Sequence, residues 1–243
     1  MFRKRVNKRN TYQGTSHEEP GSLTLCTRTA SVQYRIPAAI VQSMRLMTTR
    51  LEREQRLPSR ISVVSALRQE GVTTTTMALA TTLAHDTMRT VCIVDLNWWW
   101  PNTVLHEACT SKTGVVPLLQ GHDNWEHALI HTQLPNLVLL PAGIPPAEKR
   151  PAIARSTELQ QLLTNLSERV DHLILDIPAI LTTSDAIPLA SLGTAACVVV
   201  HQGISPRAIV NQAVEEISHI PMLGVVMNRT HFSTPSWLLP RIS

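Results

Sequence analysis

The chain has 243 residues, of which 43% are apolar, so it is long enough to bury a substantial core as one large domain. Its net charge of +4 is concentrated at the N-terminus, where Arg3, Lys4, Arg5, Lys8 and Arg9 fall within ten positions. No apolar run approaches the roughly 18 residues that cross a bilayer, and scattered cysteines disfavour a structural zinc site. These totals predict a cytoplasmic globular protein with a basic tail.

The N-terminal part divides into two segments. Residues 1–35 are polar and turn-rich, which predicts a flexible basic arm that is solvated or contacts an anionic membrane surface. Residues 36–55 carry apolar side chains at helical spacing, namely Ile40, Met44, Met47 and Leu51. We therefore predict an arm over 1–35, a domain over 36–232 that begins with a helix, and a C-terminal tail over 233–243.

From residue 60 onward, short β-branched runs alternate with helical stretches. The runs predict strands at 61–66, 91–95, 137–141, 173–176, 195–200 and 223–227. Helical segments are predicted near 74–88, 125–132, 157–170, 184–191 and 206–218. Because most of these strands are continuously apolar, both of their faces are expected to be buried. The predicted fold is α/β, with a mostly parallel central sheet and helices on both faces.

The loop after the first of these strands follows the P-loop pattern Gly-x-x-x-x-Gly-Lys-Ser/Thr. Ala66 takes the first glycine position, Gly71 the second, Val72 the lysine position and Thr73 the hydroxyl position. Backbone N–H groups at such a loop and helix start bind phosphate, and the Thr73 hydroxyl suits Mg²⁺. Val72, however, supplies no cation to the phosphates. The sequence therefore predicts a P-loop NTPase-like site that lacks its usual lysine.

Two aspartates, Asp95 and Asp176, end predicted strands. Because the carboxyl ends of parallel strands share one edge of the sheet, both are expected near Thr73. Two carboxylates beside a hydroxyl form a Mg²⁺-binding or water-positioning cluster. We predict Asp95 and Asp176 as catalytic residues of an active protein, and Thr73, Asp95 and Asp176 as ligands of Mg²⁺.

Further motifs follow in a fixed order along the chain. They are the P-loop at 65–74, Val94-Asp95-Leu96-Asn97 followed by Pro101, and the segments 114–121, 139–146, 176–179, 184–186 and 223–229. With these motifs, roughly residues 36–230 resemble the bacterial tyrosine kinases of capsule and exopolysaccharide systems, within the MinD/ParA-like P-loop ATPases. The resemblance implies ATP or ADP with Mg²⁺ as cofactors, and nucleotide contacts at Glu70, Gly71, Val72, Thr73, Thr74, Asn228 and Arg229. It assigns the adenine contact to Asn228.

Two departures from the family pattern concern catalysis. Val72 replaces the P-loop lysine, and Asn97 stands where the family usually has a second aspartate. Removing one well-placed charge contact costs a few kcal/mol, or about two to four orders of magnitude in rate. The hypothesis is therefore a pseudokinase, with weak or no ATP turnover.

Other departures concern assembly and autophosphorylation. The family's Glu-x-x-Arg-x-x-Arg oligomerisation motif reads Ala39, Gln42 and Arg45 here. The family's C-terminal tyrosine cluster is absent, since the only tyrosines are Tyr12 and Tyr34. The resemblance implies a regulatory or docking subunit at the inner face of the plasma membrane. Its partner would be a membrane polysaccharide co-polymerase or export protein, or further copies of the chain in a homo-oligomer, rather than nucleic acid.

Two alternatives stay open. One is an active ATP-dependent tyrosine kinase or ATPase, in which Arg68 or a partner's arginine replaces the missing lysine. The other is a ParA/MinD-like partitioning ATPase, which is disfavoured because Leu67 occupies the position of that class's signature lysine.

Two other clusters have no place in these motifs. Trp98-Trp99-Trp100 follows the second predicted strand, and at least one of these rings is expected near the ligand edge or a contact surface. The alternative is packing under a long loop. His127 and His131 are spaced by one turn on a predicted helix, but the spacing of Glu126 does not match His-Glu-x-x-His. We expect surface histidines there rather than a metal site.

Overall fold

The computed structural model describes residues 19–29, 33–100, 113–122 and 124–230. In this part of the chain the strands are β1 (Leu23–Cys26), β2 (Gln33–Ile36), β3 (Arg60–Ser65), β4 (Val91–Asp95), β5 (Ile130–His131), β6 (Leu137–Leu140), β7 (His172–Asp176), β8 (Ala195–His201) and β9 (Met222–Asn228). The helices are α1 (Ala38–Arg53), α2 (Val72–Thr87), α3 (Val115–Leu119), α4 (Trp125–Ala128), α5 (Arg150–Ala154), α6 (Thr157–Ser167), α7 (Ala186–Ala190) and α8 (Arg207–Glu216), with a 3-10 turn at Ala147–Lys149.

A seven-stranded sheet has the order β5-β6-β4-β7-β3-β8-β9. All neighbouring pairs are parallel except β5 with β6. The prediction of an α/β fold with a mostly parallel sheet is confirmed. The strand at 91–95 has the predicted bounds, and the other predicted strands differ by one residue at one end or at both ends. They were predictable because strands such as β4 and β7 are buried throughout and are therefore apolar except at their ends.

Helices cover both faces of the sheet, which separates two hydrophobic clusters. Alternate residues of a strand point to opposite faces, so Val63 and Ile93 join one cluster while Val64 and Val94 join the other. The first cluster contains the apolar face of α1 and most of α2, and the second contains residues of α3 to α8. Both faces of the central strands are therefore covered by apolar side chains. The carboxylates Asp95 and Asp176 lie at the ends of their strands.

A β-hairpin formed by β1 and β2 precedes α1. The two strands pair antiparallel, and Leu25 and Ile36 are fully buried in the cluster that contains α1 and α2. Backbone hydrogen bonds join Cys26 to Gln133 and Arg28 to His131, which attaches the hairpin beside β5. The predicted arm therefore does not extend to residue 35. Strands of only four residues with mixed polarity gave no periodic signal that could reveal them.

The predicted helix over 125–132 is wrong in its second half. Asn124 caps α4, which ends at Ala128, and Leu129 is extended at φ −85° and ψ 119°. Ile130 and His131 then pair with β6. Pairing of Ile130 and His131 with β6 is thus favoured over continuation of a helix whose apolar pattern is short. His127 and His131 consequently lie on different elements.

The remaining predictions about chain organisation have different outcomes. In the part of the chain that the structure describes, no helix is long and apolar enough to cross a bilayer. The basic residues at positions 3–9, Tyr12, Pro101 and the tail over 233–243 lie outside the described residues. The division of the chain into arm, domain and tail stays a prediction for these segments.

Candidate functional site

A cleft of about 550 Å³ opens at the edge of the sheet where the parallel strands end. The loop after β3 and the first turn of α2 contribute Ser65, Arg68, Gln69, Gly71, Val72, Thr73 and Thr74. The segments after β4, β7 and β9 contribute Asn97, Trp100, Ile177, Ala179 and Arg229. This edge is where α/β proteins bind ligands, because loops from several strands converge there.

The loop after β3 depends on a glycine at position 71. Gly71 has φ 97° and ψ 29°, in the left-handed region that favours glycine. A Cβ atom at this position would lie 2.0 Å from Nδ2 of Asn228. Both the backbone conformation and the close approach of β9 therefore require glycine, as the P-loop alignment predicts for this position.

Buried side chains hold the same loop from beneath. The Glu70 carboxylate accepts a hydrogen bond from the Leu67 N–H at 2.8 Å and another from the Ser205 hydroxyl. The Ser65 hydroxyl donates to the Leu67 carbonyl at 2.7 Å. The nucleotide contact predicted for Glu70 stays a prediction, while its buried side chain, bonded to Leu67 and Ser205, helps to set the shape of the cleft.

Asn228 connects β9 to the loop. Its Nδ2 donates to the Glu70 carbonyl at 2.8 Å, and its Oδ1 accepts from the Arg229 N–H at 2.9 Å. Asn228 does not line the cleft, whereas Arg229 does. The adenine contact that the resemblance assigns to Asn228 stays a prediction, and in this structure its side chain bonds to the P-loop backbone.

The start of α2 presents backbone donors to the cleft. The first helical hydrogen bond in α2 joins the Thr75 N–H to the Gly71 carbonyl at 2.9 Å, so the N–H groups of Val72, Thr73 and Thr74 have no partner within the helix. These groups and the positive end of the helix favour a phosphate. The Val72 side chain instead packs against the hydrophobic cluster.

Asp95 and Asp176 lie side by side at the ends of β4 and β7. Both are buried, and Oδ1 of Asp95 accepts from the Asn97 N–H at 2.9 Å. Neither carboxylate oxygen of Asp176 accepts a hydrogen bond from any residue that the structure describes. Burial raises the pKa of the Asp176 carboxyl well above its usual range, the nearby Asp95 raises it further, and Thr73 lowers it.

These residues fit a divalent cation. Carboxylate and hydroxyl oxygens are the ligands that Mg²⁺ prefers, and a bound cation would compensate the uncompensated carboxylate of Asp176. Thr73, from the first turn of α2, lines the cleft close to this pair. The structure thus brings together the three residues predicted from sequence as Mg²⁺ ligands.

The three tryptophans have three different environments. Trp98 is buried, and its Nε1 donates to the Ala142 carbonyl at 3.2 Å. Trp99 is partly buried, with its ring centroid 5.6 Å from that of Trp98. Trp100 lines the cleft, where the Arg68 guanidinium carbon lies 4.3 Å from its ring centroid. One ring therefore lies at the ligand edge, as expected, and the other two pack inward.

Sequence reasoning missed Ser205 as a contributor to the site, and it included Ile177 and Ala179 in the 176–179 motif without predicting that they line the cleft. Ile177 and Ala179 directly follow β7, and Ser205 lies four residues beyond β8. Their position just after a parallel strand was the signal that could have revealed them, because this edge collects the ligand-binding loops.

Comparisons with known proteins bear on this site. No protein-family model matches the chain. The tyrosine-protein kinase ptk of Acinetobacter johnsonii is 33% identical over 111 residues, which are 45% of this chain and 15% of that kinase. The tyrosine-protein kinase CpsD of Streptococcus agalactiae is 25% identical over 183 residues, 73% of this chain and 78% of that kinase. The chain is therefore similar in sequence to bacterial tyrosine kinases over most of its length, which agrees with the resemblance inferred from its motifs.

Solved structures show the same fold. The kinase domain of VpsO has a TM-score of 0.71 at 22% identity, covering 79% of this chain and 95% of that domain. The septum site-determining protein MinD of Pyrococcus horikoshii, in complex with Mg-ADP, has a TM-score of 0.58 at 24% identity, covering 76% of this chain and 77% of MinD. The predicted P-loop NTPase-like fold is therefore confirmed.

Arg45, which the resemblance aligns with the last arginine of the oligomerisation motif, makes an intramolecular contact. Arg45 of α1 binds both carboxylate oxygens of Asp86 on α2, with Nε–Oδ2 at 2.6 Å and Nη2–Oδ1 at 3.0 Å. This ion pair fixes α1 against α2 within one chain. Of the two tyrosines, Tyr34 lies in β2, distant in sequence from the cleft loops, and Tyr12 lies outside the described residues.

Proposed function

We propose that this chain binds Mg²⁺ with ATP or ADP in the cleft, turns ATP over slowly or not at all, and serves as a regulatory or docking subunit of capsule or exopolysaccharide synthesis. One observation carries the proposal. An apolar Val72 at the lysine position lines the cleft together with Thr73, and the Thr73 side chain lies beside the buried Asp176.

The binding half of the proposal rests on groups that remain. The N–H groups at the start of α2 are available for phosphate oxygens, and Gly71 keeps the loop backbone open to them. Asp95, Asp176 and Thr73 supply oxygen ligands for Mg²⁺. The Mg-ADP complex of MinD, a protein of the same fold, is consistent with this assignment.

The catalytic half rests on groups that are missing. Phosphoryl transfer relies on fixed positive charge that neutralises the charge developing on the phosphate oxygens. Val72 offers none, and Asn97 replaces a carboxylate with a neutral amide whose Oδ1 accepts from the Trp100 N–H at 3.3 Å. Mg²⁺, when bound, would supply charge to the phosphates without restoring the lysine. We therefore expect nucleotide binding to survive better than turnover.

The biological setting follows from the family. The relatives are tyrosine-protein kinases, among them CpsD proteins of streptococci. The family's role in capsule and exopolysaccharide systems suggests docking of this chain on a membrane polysaccharide co-polymerase or export protein, at the inner face of the plasma membrane.

Thermal unfolding with and without Mg-ATP tests the binding half. A ligand at about 100 times its Kd adds roughly 2.7 kcal/mol of stability, which raises Tm by about 5–10 °C for a chain of this length. Adenosine with Mg²⁺ serves as the control, since it lacks the phosphates that α2 is expected to bind. If millimolar Mg-ATP and Mg-ADP leave Tm unchanged, the fold is retained for docking alone.

One feature favours the alternative of an active kinase or ATPase, namely the Arg68 guanidinium at the cleft. Incubation of the chain with Mg-ATP, followed by detection of phosphotyrosine and free phosphate, separates the two functions. Modification of Tyr12, Tyr34 or a partner at ordinary kinase rates would establish the enzyme and reject the pseudokinase.

A further inference from the structure

The charge at the cleft comes from two arginines. Among the described residues that line it, Arg68 and Arg229 carry formal charge, and both are positive. Arg68 belongs to the P-loop itself, three positions before Gly71, whereas Arg229 follows β9. The loop that lacks a lysine therefore still carries a cation, displaced from the start of α2 toward the apex of the loop.

Arg68 is held in place on both sides. Within the loop, Leu67 is fixed by its N–H bond to Glu70 and by its carbonyl, which accepts from Ser65. On the side chain, the guanidinium lies 4.3 Å from the ring centroid of Trp100. Such cation–π contacts hold a guanidinium by its face and leave the N–H groups along its edge available.

Trp100 is in turn positioned by Asn97. The Asn97 Oδ1 accepts the Trp100 N–H, and the Asn97 N–H donates to Asp95, so the segment after β4 turns back toward the cleft. Asn97, the second departure from the family pattern, thus supports the residue on which Arg68 stacks. Asn97 is thus connected to Arg68 through Trp100, and Arg68 lines the same cleft as Val72.

We propose that the Arg68 guanidinium, stacked on the Trp100 ring, binds the phosphates of the nucleotide in place of the missing P-loop lysine. This inference rests on the proposed function and names the residue that makes phosphate binding possible without Lys at position 72. A guanidinium suits the role because its planar N–H edge matches phosphate oxygens. Because Arg68 extends from the loop and not from the start of α2, we expect it to strengthen binding of the nucleotide. We do not expect it to supply the transition-state contact that a lysine on α2 makes.

Titration calorimetry with Mg-ATP and with adenosine tests the proposal on the full chain. Arg68→Ala is expected to weaken Mg-ATP binding about tenfold to hundredfold and to leave adenosine binding unchanged. Arg68→Lys should recover only part of the affinity, because an ammonium neither stacks nor binds in bidentate fashion as well. Arg56→Ala is the matched control, since Arg56 is an exposed arginine that precedes β3, at the opposite edge of the sheet.

A rescue variant distinguishes phosphate binding from a change in loop shape. If Lys at position 72 restores the missing cation, Val72→Lys should make the Arg68→Ala effect much smaller than in the wild-type background, since the two cations share one ligand. Equal Mg-ATP affinity in the wild type, Arg68→Ala and Arg56→Ala overturns the inference and leaves the proposed function standing. Absence of Mg-ATP binding by the wild type overturns both.

Discussion

At the scale of single residues, Asp176 shows how a ligand site costs stability. A buried carboxylate without a hydrogen-bond partner is unfavourable when charged, and the neighbouring Asp95 adds repulsion. The folded pKa of Asp176 therefore lies above its unfolded value. Since the folded state holds this proton more tightly, the free energy of unfolding falls as pH rises above about 4 toward the folded pKa.

Asp176→Asn is accordingly expected to stabilise the protein at pH 7 without Mg²⁺, by about 1 kcal/mol or more, because a neutral amide removes the cost of keeping this buried carboxyl either charged or protonated above its unfolded pKa. Its free energy of unfolding should also vary less with pH between about 4 and 7 than that of the wild type. Chemical denaturation across this range measures both effects. The same variant should lose the Tm increase caused by Mg-ATP. A less stable Asp176→Asn protein at pH 7 would contradict the electrostatic account.

Gly71 makes a second prediction at this scale. Gly71→Ala places a Cβ atom against Asn228 and forces a positive φ on alanine, so it should lower the free energy of unfolding by about 1–3 kcal/mol. In an Asn228→Ala background the clash is removed and only the backbone cost remains, so the second Gly71→Ala effect should be smaller. Equal effects in both backgrounds would mean that β9 does not restrain the loop.

At the scale of elements, the contact between α1 and α2 depends on the Arg45–Asp86 pair. The Arg45 guanidinium lowers the pKa of the Asp86 carboxyl, chiefly through their hydrogen bond. Stability from this pair is therefore present above the unfolded pKa of about 4 and is lost as pH falls through the folded pKa.

A double-mutant cycle with Arg45→Ala and Asp86→Asn should give a coupling of about 0.5–1 kcal/mol at pH 7, in the range of exposed ion pairs. The coupling should disappear at pH 2 to 3. Arg53, about 12 Å further along α1, provides the control cycle, for which no coupling with Asp86 is expected. Coupling that persists at low pH would point to packing rather than charge.

The contribution of the β1–β2 hairpin to the free energy of unfolding can also be measured. Leu25→Ala should cost about 2–5 kcal/mol because the side chain is fully buried against α1 and α2. Thr24→Ala, on the exposed face of the same strand, should change stability by less than about 0.5 kcal/mol. Denaturant midpoints of the two variants compare them directly. A small loss of stability in Leu25→Ala would contradict the packed hairpin and support the flexible arm predicted from the sequence.

At the scale of the whole molecule, the central sheet was predictable because strands such as β4, β7 and β8 are buried on both faces and mostly apolar. The P-loop was predictable because its pattern is local, with Gly71, Val72 and Thr73 adjacent. The contacts that shape the loop were not. Glu70 meets Ser205 and Asn228 across 135 and 158 positions of sequence, and such pairs follow only from the folded topology.

The central claim is that the cleft binds nucleotide but lacks the charge needed for fast phosphoryl transfer. Release of phosphate from Mg-ATP by the wild type and by Val72→Lys, at saturating nucleotide, tests it most directly. The account predicts a wild-type rate about two to four orders of magnitude below that of Val72→Lys. Wild-type turnover at about 1–100 s⁻¹, the range of ordinary kinases, would contradict it.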